Sequence, residues 1–281
     1  MSGVPAVIQP VSALLAALTT PIHPVLFPVP LLPLLHAFRI SIVYRHLNTQ
    51  AGGNTSVAAD LAGFLLMAWG GSIVSHMLLS LPIPQLLTFT PIMVYAGTHM
   101  CVRVLEWMPS VATMDSVFPV VDGLLRTSAI AAGVDACRQH PTAAVSQSLS
   151  IQLFVGAVAS SGGTIAAQTL SVWEPVWRLS RPLFLQQDSI LASTDVWSGS
   201  LIAALYGYLT ASHPLYLTLY PQSASTKSSS PLLSSLDAKA AASLLLTSIY
   251  CWRVYNVHYS SRKSIKSIRD TTSEKFKSKN E

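Results

Sequence analysis

Apolar residues in this chain come in long blocks broken by short polar or proline-containing stretches. Neither the alternation of a half-buried strand nor the narrow stripe of a surface helix dominates. Seven blocks reach the roughly 20 residues that a helix needs to cross a hydrocarbon core. They fall at about 24–47, 57–81, 84–107, 115–137, 144–171, 189–212 and 236–258. Pro24, Pro28, Pro30 and Pro33 crowd the start of the first block, Pro82 and Pro84 stop the second, and His213-Pro214 stops the sixth. The pattern predicts an all-α membrane protein with seven transmembrane helices.

Order within the blocks adds an internal repeat. Phe27-Pro28-Val29 returns as Phe118-Pro119-Val120, Leu34-Leu35-His36 as Leu124-Leu125-Arg126, and Gly70-Gly71-Ser72-Ile73 as Gly162-Gly163-Thr164-Ile165, all near one common offset. Each unit holds three helices, an odd number, so the second copy enters the membrane upside down. An inverted 3+3 repeat is a transporter-like plan, with the pathway at the interface of the copies and interrupted helices lining it. The predicted organisation is an N-terminal segment (1–20), a first repeat (21–109), an inverted second repeat (110–214), a linker (215–235), a seventh helix (236–258) and a basic cytosolic tail (259–281).

Composition agrees with this and removes other classes. Of 281 residues, 51% are hydrophobic and 10% charged, against about 25% charged in a usual soluble domain. Seven Lys/Arg and three Asp/Glu fall in 262–281, so the membrane part is poorer still and the net +5 sits mostly in the tail. A soluble enzyme, a nucleic-acid binder and a disordered chain are excluded. Mean hydropathy is +0.47. Lys and Arg follow the first span (Arg45), the third (Arg103), the fifth (Arg178, Arg181) and the seventh. The positive-inside bias then puts the C-terminus in the cytosol and the N-terminus in the lumen. No Lys or Arg precedes Arg39, which predicts no cleaved signal peptide.

Candidate chemistry is sparse. Cys101, Cys137 and Cys251 show no CxxC spacing, and the eight histidines no i, i+4 pair, so no metal site and no disulfide framework is expected. No GxSxG or phosphate loop points to an enzyme. Gly70, Gly71 and Ser72, with Ser160, Ser161, Gly162 and Gly163, sit mid-helix at equivalent places in the two copies. Small residues there serve either close helix packing or a helix interruption that lines a pathway. Asp122 and Arg126 stand one helical turn apart, the spacing of an intrahelical pair, and are equally placed for a pore or lipid role. Asp60, Arg103 and Asp135 lie near span ends, where snorkelling to the interface is expected. His76 is a candidate for lining the pathway or bonding to a neighbouring helix. Asn54-Thr55-Ser56 is a glycosylation sequon on the side assigned to the cytosol. Lys277-Ser278-Lys279-Asn280-Glu281 has the form of a dilysine retrieval signal, and the tail equally suits anionic lipid.

From about Pro21 to His258 the chain resembles the trimeric intracellular cation (TRIC) channels. The resemblance rests on Leu26-Phe27-Pro28-Val29, Gly70-Gly71-Ser72, Arg126-Thr127-Ser128-Ala129-Ile130-Ala131-Ala132-Gly133-Val134, the stretch Gly156 to Gly163, and Val172-Trp173-Glu174-Pro175-Val176-Trp177. It implies a homotrimer in the endoplasmic reticulum, with a potassium-permeable pore in each subunit between kinked second and fifth helices, carrying counter-ion current during calcium release. It also implies membrane lipid as a partner, with a phosphoinositide near a Lys-Glu-Val motif on the fourth helix. Here that motif reads Asp122-Gly123-Leu124 and only its arginine, Arg126, is kept. A carboxylate at that place would repel the headgroup. Ala159 stands where the fifth helix commonly has a lysine. An inverted-repeat secondary transporter and a non-conducting membrane interaction protein of the same fold are the alternatives.

Overall fold

The computed structural model describes residues 5–105, 109–220 and 231–260. Its helices are α1 (Gln9–Thr19), α2 (Leu31–Gln50), α3 (Val57–Leu78), α4 (Phe89–Arg103), α5 (Val111–Arg138), α6 (Ala143–Ser146), α7 (Leu149–Leu170), α8 (Leu183–Gln186), α9 (Thr194–Thr210), α10 (Pro214–Thr218) and α11 (Ser235–Val254). A small antiparallel hairpin, β1 (Pro21–His23) and β2 (Phe27–Pro30), joins α1 to α2. Each of the seven apolar blocks holds one of the long helices α2, α3, α4, α5, α7, α9 and α11. Residues 221–230 of the linker and the tail with its Lys277–Glu281 signal lie outside the described residues.

Among the described residues, three helices, over Val57–Leu78, Thr113–Arg138 and Leu149–Leu170, are both long and apolar enough to cross a membrane. The remaining four fall short of the expected seven spans for two reasons. α4 and α9 have 15 and 17 residues, while α2 and α11 carry ionisable side chains such as Arg39, Arg45, Asp237 and Arg253. The N-terminal segment holds α1, which folds back onto α11, where the Ser12 hydroxyl donates to Asp237 at 2.7 Å.

Local signals explain most boundaries. Ser56, Ser110, Ser148 and Ser234 cap α3, α5, α7 and α11, each hydroxyl accepting from a backbone N–H three residues on. The repeated Phe-Pro-Val takes two conformations. Phe27–Val29 lies in β2, and α2 begins only after the extended Pro30. Phe118–Val120 lies inside α5, because the Ser110 cap has started that helix before Pro119 is reached. Proline is tolerated there at the cost of one backbone hydrogen bond.

The inverted repeat is plainest in α3 and α7. Both have 22 residues, and their starts (57 and 149) and ends (78 and 170) are 92 positions apart. The two helices cross antiparallel at their glycine pairs. A Cβ on Gly70 would lie 3.0 Å from the Gly163 Cα, and one on Gly162 would lie 2.8 Å from the Gly71 Cα. A Cβ on Gly71 would stand 2.8 Å from the Ala159 carbonyl oxygen, and one on Gly163 would press on the carbonyl of Met67. Shifting each residue by 92 exchanges the members of each pair, so a pseudo-twofold axis passes through the crossing. The expected interruption is absent: helical structure runs unbroken through both glycine pairs, which serve here as the flat faces of a close contact.

Around that crossing, α2 and α4 pack with α3 over Tyr44, Phe64, Met67 and Trp69. On the other side α5, α9 and α11 share a core of Ile130, Val134, Ile202, Tyr206 and Leu246. A second close approach joins α7 to α9, where a Cβ on Gly199 would lie 2.7 Å from the Gly156 carbonyl oxygen. Substituting Gly71 or Gly162 by leucine therefore overpacks the crossing by about 1–3 kcal/mol or more. Gly97→Ala in α4, where a Cβ meets nothing within 4 Å, is expected to hold or raise stability. Thermal melting of the three purified variants in one detergent checks the contrast.

Candidate functional site

A cavity of about 420 Å³ lies beside the glycine crossing, between α2, α3, α4, α5 and α7. Leu32 and Pro33 at the start of α2, and Pro84 and Gln85 beyond the end of α3, place it toward the face where α2 and α11 begin, here the N-side. A second cavity of about 290 Å³ is lined by Val43 and Leu47 late in α2 and by Arg253, Val257 and His258 at the end of α11. It belongs to the opposite face, the C-side. A third, of about 410 Å³, lies between α7, α8, α9 and the end of α11. Met67, Asp122, Arg126 and Thr164 line both the N-side and the C-side cavities, and Thr164 lines all three.

The partition between the N-side and C-side cavities is ionic. The Arg39 guanidinium donates to Asp122 at 2.6 Å, with both side chains nearly buried. Arg126 faces Asp195 at 3.5 Å and donates to the Ser160 carbonyl at 2.7 Å, and Arg253 donates to Asp195 at 3.2 Å. Of the readings left open for Asp122 and Arg126, the intrahelical pair is not the one formed: both contact other helices, Asp122 α2 and Arg126 α9. One turn of α5 aims both inward, where charges from neighbouring helices come closer than each other's. Aromatic faces complete the layer, with Arg39 5.1 Å from the Phe118 ring centroid and Arg126 5.4 Å from that of Tyr250.

The other small-residue candidates separate by position. Gly71, Ser72, Ser160 and Gly163 line the N-side cavity. Ser161 lines the third cavity, its hydroxyl donating to the Ala157 carbonyl at 2.7 Å. Gly70 and Gly162 are spent on the helix crossing. His76 reaches the N-side cavity while its Nδ1 contacts the Ser72 carbonyl of its own helix at 2.8 Å, rather than a neighbouring helix. The buried Ser75 hydroxyl beside it has no hydrogen-bond partner among the described residues.

Two solved structures similar to this one are channels. A TRIC counter-ion channel active in calcium release superposes with a TM-score of 0.54 at 16% identity, over 81% of this chain and 93% of that one. A trimeric intracellular cation channel from C. elegans, determined in the absence of Ca2+, gives 0.51 at 15% identity, over 89% and 95%. The chain has the TRIC channel fold. No family model matches the sequence, and no curated protein matches it.

Within the TRIC fold, several polar contacts lay beyond sequence reasoning. Asp60 does not snorkel: its carboxylate is buried between His99 Nε2 and Arg103, each at 3.0 Å, and His99 Nδ1 contacts the Ser41 hydroxyl at 2.7 Å. Asp135 accepts from the Tyr206 hydroxyl at 2.9 Å. His36 meets the Tyr95 hydroxyl at 2.7 Å, and His258 meets Asp115 at 2.6 Å at the C-side cavity. Position 36 and its repeat counterpart 126 each bond to the third helix of their own repeat, a signal the repeat alignment offered. Asp195 serves two guanidinium groups, so Asp195→Asn strands buried positive charge and is expected to cost about 3–5 kcal/mol. Asp188→Asn, at an exposed site, is expected to change stability by less than about 0.5 kcal/mol. Melting of the two variants side by side reads the difference.

Proposed function

We propose that this protein is a monovalent cation channel, conducting potassium through each subunit of a homotrimer in an intracellular membrane. The observation that carries the reading is the pair of cavities reaching opposite faces and parted by a single layer of side chains, in a TRIC fold. A polar layer rather than an apolar plug favours ion passage over simple helix packing. Ionisable residues at membrane depth are costly and mark ion paths more often than not. The pore runs between α3 and α7 on one wall and α2 and α5 on the other. Its role, as with the counter-ion channel sharing the fold, is to balance charge when another cation leaves the compartment.

Potassium flux from proteoliposomes tests this. Wild type should dissipate an imposed gradient without saturation. Thr164→Trp, which adds bulk where all three cavities meet, should abolish the flux while leaving assembly and melting temperature intact. Flux indifferent to Thr164→Trp, or no wild-type flux of potassium or sodium at any voltage, would sink the reading. A saturable flux specific for one solute would make the protein a transporter.

The C-terminus is assigned to the cytosol and the N-terminus to the lumen. Asn54 is exposed just beyond α2, on the C-side with the end of α11. Translation into microsomes should therefore leave Asn54 unglycosylated, while a sequon introduced between Leu81 and Gln85, on the N-side, is modified. A mobility shift from Asn54 would invert the assignment.

A further inference from the structure

Among the described residues, Asp122 is the acidic side chain that lines both the N-side and the C-side cavities; Asp115 and Asp195 line the C-side alone of these two. In this conformation its charge is occupied by Arg39 at 2.6 Å. A cation arriving from either cavity therefore meets guanidinium groups whose carboxylates are already engaged, and at low dielectric that barrier is high. The two arginines are not held alike. Arg126 is fixed by Asp195, the Ser160 carbonyl and the Tyr250 face. Arg39 is held by Asp122 and the Phe118 face, and its buried Nε has no hydrogen-bond partner. Arg39 also borders the C-side cavity and not the N-side one, so open space lies on one side of it only.

We propose that the Arg39–Asp122 pair is the closed gate of the pathway, and that Asp122 is its selectivity residue for monovalent cations. This rests on the channel reading. Opening swings the Arg39 side chain into the C-side cavity. The carboxylate it leaves, which lines both cavities, offers a passing cation a negative partner and repels anions, as rings of acidic side chains do in other cation channels. Arg126 stays neutralised by Asp195 throughout and forms the fixed wall.

The experiment measures potassium flux and the potassium-to-chloride permeability ratio in proteoliposomes, for protein whose assembly and melting temperature are checked first. Arg39→Gln should raise potassium flux several-fold over wild type and keep the cation preference. The double variant Arg39→Gln/Asp122→Asn leaves no buried charge unpaired, so it folds even if the single variant does not. It should also conduct, with the preference for potassium over chloride lost. The exchanged pair Arg39→Asp/Asp122→Arg should restore the closed, wild-type level. Folded variants with unchanged flux, or a double variant with wild-type selectivity, overturn the gate. If wild-type flux is present and blocked by Thr164→Trp while Arg39→Gln changes nothing, the channel stands and the gate falls. If no variant conducts, both fall.

Discussion

Four glycines hold α3 and α7 closer than any side chain would allow, and the remaining helices take their places from that crossing. The contact is symmetric. Each glycine that lies against a backbone atom of the opposite helix has a partner, 92 positions away, making the equivalent contact in return. Without a hydrophobic driving force between helices in lipid, such close van der Waals approach is what remains to hold them. It also explains why the glycines leave their helices whole. A residue selected for a flat face needs a regular helix to present it.

Charges were then added around an apolar frame. Three clusters join helices that the crossing alone would leave loosely related. Arg39 to Asp122 links the first helices of the two repeats. Arg126 to Asp195 to Arg253 links α5, α9 and α11, and Ser41 to His99 to Asp60 links α2, α4 and α3. Desolvating so many ionisable groups costs several kcal/mol apiece, and pairing offsets this only when geometry is good. Their value lies in register. A helix sliding by one turn would lose its partner and keep the desolvation cost.

The two repeats are equivalent in plan and unequal in detail. The same Phe-Pro-Val is a strand before α2 and part of the helix in α5, according to whether a capped helix has already begun. The second repeat gains α11 as a further neighbour, and with it the Tyr250 face and Arg253, so Arg126 is fixed from three sides while Arg39 is not. The asymmetry of the ionic layer therefore follows from an addition outside the repeat. The Asp122 that binds Arg39 stands on the second repeat's first helix, so the layer belongs to both copies.

The sequence by itself determined the class of the protein, the seven apolar blocks, the inverted repeat and the glycine positions. These depend on local quantities: how many apolar residues run together, and which short strings return at a fixed offset. It also placed Asp122 and Arg126 in the membrane. It did not determine their partners, since spacing one turn apart fits an intrahelical pair as well as two separate ones. Only the tertiary structure decided that Asp122 meets Arg39, 83 residues away, and that Arg126 meets Asp195. It likewise decided that the glycines close a helix contact and that the cavities lie beside it. The physical reason is that pairing and packing depend on distances between helices, and in a uniformly apolar chain no periodicity along one helix records which neighbour it will face.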